Sequence, residues 1–103
     1  MPELKLLHVA LQDGFFNDTV AISINGREAA SRSNVTTKTQ IGLASAIDFQ
    51  LPAGQVSLQV SVAGRPPSEP LTIELTQPVY VGVSVGTDGK IVYRRSQNAF
   101  RYA

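Results

Sequence analysis

His8 is the only histidine in the chain and cysteine is absent, so side chains that commonly supply catalytic bases, nucleophiles and metal ligands are scarce. His8 lies inside "LKLLHVAL", an apolar extended stretch rather than a loop. An imidazole there reads as a packed, hydrogen-bonded residue, not as a base. Serine and threonine abound, but no base is spaced to activate one, and no Gly-x-Ser-x-Gly, phosphate loop or metal-ligand spacing occurs. Asp13, Asp18 and Asp88 could converge on a hard cation such as calcium. Each stands beside Gly or Asn, however, which is ordinary turn chemistry. No metal or cofactor is expected, and the chain reads as non-enzymatic.

Aromatic residues offer a different chemistry. "QDGFFNDTV", residues 12–20, sets Phe15 and Phe16 side by side in a stretch that reads as a turn. Successive residues of an extended chain point to opposite sides, so one ring can plug a core while the other needs its own surroundings. Those are a neighbouring loop at the edge, or a sugar or protein partner for which the ring is an anchor. "YRRSQNAFRY", 93–102, interleaves Arg94, Arg95 and Arg101 with Tyr93, Phe100 and Tyr102, a pattern that could stack bases and hold phosphates. Against it stands the overall charge of +1, from nine basic and eight acidic residues. Nucleic-acid binding draws on a broad basic face, so the tail is expected to dock on the first strand instead. The sequons at Asn17 and Asn34 matter only in a eukaryotic secretory protein, which nothing else suggests.

Short strands must position these residues. "VAISI" (20–24), "IDFQL" (47–51), "VSLQVSV" (56–62), "LTIEL" (71–75) and "VYVGVSV" (79–85) all alternate apolar and polar residues, the mark of half-buried strands. "LKLLHVAL", a weaker strand at Glu28–Ser31 and "IVYRR" bring the count to about eight. Asn25-Gly26 is a hairpin signal, "PAGQ" (52–55) and "GTDGK" (86–90) are turns, and "GRPPSEP" (64–70) cannot be a central strand because proline removes donors. A short helical turn is expected near "IGLASA", 41–46. At 103 residues one domain is expected, a single antiparallel β-sandwich of immunoglobulin-like or prealbumin-like type, with 96–103 a docked or disordered tail.

If each connection reverses the chain, alternate loops fall at opposite ends. The Asn-Gly turn, "PAGQ" and Gln77–Pro78 share one end, while 12–18, 33–45, 64–70 and 86–89 share the other. Long loops on a rigid scaffold are where sites usually sit. Phe15, Phe16, Asn17, Thr37, Lys38 and Arg65 are therefore the candidate contact residues. A second candidate is self-association. "LKLLHVAL" is apolar on both faces, with Leu4, Leu6 and His8 on one of them, and the outward side of "VYVGVSV", with Tyr80 and Ser84, is flat and nearly uncharged.

"ISINGREAA" followed by "FQLPAGQVSLQVSVAG" resembles the small bacterial β-sandwich modules of the PEGA and prealbumin-like type over residues 19–85, although the Pro-Glu-Gly-Ala signature itself is absent. That resemblance implies a non-catalytic module of the kind appended to envelope or surface proteins. The expected function is protein–protein interaction or homodimer formation, with carbohydrate binding through Phe15, Phe16 and "NVTTKTQ" as the alternative. Neither nucleic acid nor membrane is an expected partner. No apolar run is long enough to span a bilayer, and the start lacks the features of a secretory signal. A cytoplasmic location is expected, or a periplasmic or surface one if a leader has been removed.

Overall fold

The computed structural model describes residues 3–38, 40–66, 68–96 and 98. They form eight strands and no helix: β1 (Leu4–Leu11), β2 (Asp18–Ile24), β3 (Arg27–Val35), β4 (Ser45–Pro52), β5 (Gly54–Val62), β6 (Leu71–Leu75), β7 (Val79–Val85) and β8 (Ile91–Ser96). With no helix among the described residues, none is long and apolar enough to cross a membrane. Two four-stranded sheets result, ordered β4-β1-β7-β8 and β3-β2-β5-β6; they are called sheet A and sheet B below.

Alternation builds the layer between them. Leu58, Val60, Val81 and Val83 are fully buried, while Ser57, Gln59 and Ser61 of the same β5 are only half-buried. Ile47, Phe49 and Leu51 of β4 pack against this core from an edge strand. Each fully buried leucine or valine contributes roughly 1.5–3 kcal/mol.

The expected all-antiparallel pairing does not hold at one place. β1 and β7 lie side by side and run parallel, Leu7 opposite Val79 and Leu11 opposite Val83. The cause is the reversal at every connection: odd-numbered strands all run one way, so two that become neighbours must be parallel. Parallel strands at a sheet centre are covered on both faces, and Leu7, Val9, Ala10 and Leu11 are all completely buried.

Three local expectations also change. β3 is nine residues long and reaches Val35, so the long connection is 36–44 rather than 33–45. Residues 41–46 form no helical turn of their own. The amides of Ile41 and Gly42 both donate to the Lys38 carbonyl, and Lys38 pairs with Leu43 as an isolated bridge. Between β4 and β5 only Ala53 intervenes. The hairpin at Asn25-Gly26 is as expected, with φ of +52° and +84°, the geometry that favours Asn-Gly in a two-residue turn.

Candidate functional site

The loop assignment by reversal holds: 12–17, 36–44, 63–70 and 86–90 gather at the end where β1, β3, β5 and β7 finish. Within that end the structure divides the candidate residues. Phe15, Phe16, Asn17 and Thr37 form one hydrogen-bonded unit, and Arg65 lies apart from it.

Phe15 turns inward and is 3% exposed, closing the core between the sheets, whereas Phe16 is 80% exposed. The second ring therefore does not rest against a neighbouring loop. Five bonds hold the backbone beneath it. The Phe15 amide donates to Thr37 Oγ1 at 3.1 Å, the Thr37 amide to the Phe15 carbonyl at 2.9 Å, and Thr37 Oγ1 to the Gln12 carbonyl at 2.6 Å. The Phe16 amide donates to Asp18 Oδ2 and the Asn17 amide to Thr36 Oγ1, both at 2.9 Å. Asn17 adopts φ +48°, and Gly14 adopts φ +87° in a place where a Cβ would collide with the Val85 carbonyl oxygen. The Val85 amide in turn donates to the Asp13 carbonyl at 2.8 Å. The loop is thus fastened to β7 on one side and to the 36–44 connection on the other. Lys38 is exposed, and its backbone closes the turn to Leu43.

Arg65 stands at a cleft of about 810 Å³ on the far side, between the 63–70 and 86–90 loops, with Leu71, Ile91 and Tyr93 among its walls. Its guanidinium lies against Gly89, 3.1 Å from where a Cβ would be. Behind the cleft is an arrangement that sequence reading did not find. The Val60 amide donates to Tyr93 Oη at 3.0 Å, and Ser68 Oγ donates to the Val60 carbonyl at 2.7 Å. The 2.6 Å contact between the two hydroxyls must then carry the tyrosine proton to the serine oxygen, because each hydroxyl has one proton and the serine has already given its own. β6 pairs with β5 only as far as Leu58, and this ring satisfies the β5 backbone beyond that point. Alternation shows that Tyr93 faces inward; it cannot show what the hydroxyl reaches.

The other candidates, Leu4, Leu6, His8, Tyr80 and Ser84, lie on the outward face of sheet A, as their parity implies, but only His8 and Tyr80 are paired across strands, and Leu4 and Ser84 stand at opposite ends of the face. His8 Nδ1 donates to Asp48 Oδ1 at 2.5 Å, and its ring meets Tyr80 with centroids 5.5 Å apart and planes at 53°. The face is less open than the "VYVGVSV" pattern implies: the Gln12 amide lies over Gly82, where an added Cβ would strike it.

Among the described residues no three His, Cys, Asp or Glu side chains are grouped to hold a metal. Asp18 and Asp88 instead accept from the amides of Phe16 and Lys90. Nor do Arg94 and Arg95 share a face, since Arg94 points outward and Arg95 Nη1 donates to the Thr72 carbonyl of β6 at 3.2 Å. Phe100, Arg101 and Tyr102 lie outside the described residues, and with them the docking of the tail on β1. No protein-family model and no curated protein matches the chain.

Proposed function

We propose that this chain is a non-catalytic protein-interaction module whose anchor is the Phe16 ring. The observation that carries this is the pairing of 80% exposure with a backbone held by five hydrogen bonds. An aromatic ring whose backbone is fixed before binding brings large contact area at little entropic loss, and aromatic anchors dominate protein interfaces.

A carbohydrate site at the same place has less support. Sugar recognition would draw on hydroxyls beside the ring, yet Thr37 Oγ1 both donates and accepts within the loop, and Thr36 Oγ1 accepts the Asn17 amide. The non-catalytic reading draws on the mid-strand position of His8, the one histidine of the sequence.

The prealbumin-like reading of the fold fits better than the immunoglobulin-like one. In the immunoglobulin order the first two strands are neighbours in one sheet, whereas here β1 and β2 belong to different sheets. Affinity isolation with the wild-type chain and with Phe16→Ala, from the same cell extract, tests the function. A protein retained by the wild type and lost at least tenfold by the variant is expected. Equal retention by the two would refute the assignment.

A further inference from the structure

The cleft between the 63–70 and 86–90 loops opens into the core, at a surface separate from Phe16. β6 pairs with β5 only from Gly54 to Leu58. The 63–70 loop, whose prolines cannot donate to a ladder, leaves the rest of that side of the sandwich open. Leu71, Ile91 and Tyr93 pack against the core yet stay half-buried, and their remaining surface walls the cleft. These walls are held in place. Tyr93 Oη accepts the Val60 amide and bonds to Ser68 Oγ, while Gln59 Nε2 donates to the Ser68 carbonyl at 2.6 Å. The tyrosine hydroxyl is therefore engaged, and its ring serves the cleft as an apolar wall. A volume of about 810 Å³ falls among those of small-molecule sites, roughly 300–1,000 Å³.

We infer that this cleft binds a small organic carboxylate with an apolar, ring-sized body. Arg65, Glu69, Asp88 and Lys90 stand at its rim. Their formal charges cancel, so selection rests on which of them are already engaged. Asp88 belongs to its own turn: Oδ1 accepts the Lys90 amide at 3.0 Å and lies 3.0 Å from the place of a Gly86 Cβ. The side chains of Arg65, Lys90 and Glu69 make no hydrogen bond or ion pair with the described residues. Two cationic donors are thus available against one carboxylate. Arg65 is also positioned, with Nη1 3.1 Å from where a Gly89 Cβ would be, a close approach that the glycine permits. A guanidinium beside an apolar wall suits a carboxylate, which it can hold by two parallel bonds. The body of the ligand then lies against Leu71, Ile91 and Tyr93, and its head stays at the mouth beside Arg65 and Lys90. Glu69 opposes such a ligand, which fixes the sign of the effect of removing its charge.

Amide ¹H–¹⁵N spectra of the full chain, titrated with 3-phenylpropionate, its neutral amide, 3-phenylpropylamine and acetate, test this. Saturable shifts at Gly89, Lys90 and Ile91 are expected with 3-phenylpropionate, at a Kd of ~1 mM for so small a ligand. The amide should bind more weakly, and neither the amine, which reverses the charge, nor acetate, which lacks the ring, should saturate. Arg65→Gln should weaken binding of the anion about fivefold. Glu69→Gln should strengthen it about twofold. Phe16→Ala should bind unchanged, which separates this site from the anchor above. Residues 65 and 69 are exposed, so both variants should fold, and their own spectra establish it. Shifts that do not saturate or that centre elsewhere would overturn the inference. So would an amide or amine that binds as tightly as the anion, saturation by acetate, full binding by Arg65→Gln, or weaker binding by Glu69→Gln.

Discussion

Phe15 and Phe16 are adjacent and chemically identical, yet one belongs to the core and the other to the surface. Their substitution should separate stability from recognition. Phe15→Ala removes a buried ring from the end of the core and should cost about 3–5 kcal/mol in urea unfolding. Phe16→Ala should change stability by no more than about 0.5 kcal/mol. Comparable losses at both positions would mean that the Phe16 ring is packed rather than presented. The divergence of the two rings was legible in the sequence, because it follows from the geometry of extended chain. Which ring turns in was not. That choice depends on bonds from Thr36 and Thr37, on a connection far along the chain.

At the scale of the elements, two devices hold the long-loop end. One is the ring formed by Val60, Ser68 and Tyr93, which ties β8 of one sheet to β5 of the other. Tyr93→Phe strands the Val60 amide and should cost about 1–3 kcal/mol. Ser68→Ala should cost a similar amount, and the double variant less than the sum, since the hydroxyls act as a unit. Additive losses would show that the ring is not cooperative. The other device is the close approach of Gly14 to β7. Gly14→Ala adds a collision with the Val85 carbonyl to the strain of positive φ, and should destabilise by about 3 kcal/mol or more. Gly26→Ala has the same sign of φ but nothing within 4 Å of the new Cβ, so about 1–2 kcal/mol is expected. Equal effects in thermal unfolding would place the Gly14 loop away from β7. Strand existence was readable from period-two alternation and turns from Asn-Gly and proline, because both are local. The helical reading of 41–46 failed for the converse reason. The Lys38–Leu43 bridge holds that segment instead, a contact that no local pattern announces.

Across the whole molecule, reversal at every connection is the rule that sorted short loops from long ones, and it survives in the structure. Sheet partners are another matter. Alternation marks which side of a strand is buried and says nothing about its neighbours, so the parallel contact of β1 with β7 was beyond its reach. The apolar residues on both faces of β1 are in keeping with its central place in sheet A, but they do not name its neighbours. What this framework would contribute to the proposed function is rigidity under the exposed Phe16 ring. Backbone amide ¹⁵N relaxation over the whole chain tests that most directly. Order parameters near 0.85 at Phe15, Phe16 and Asn17, equal to those of β1 and β7, are expected of a loop held as part of the scaffold. Values below about 0.6 at these three residues, beside rigid strands, would contradict it.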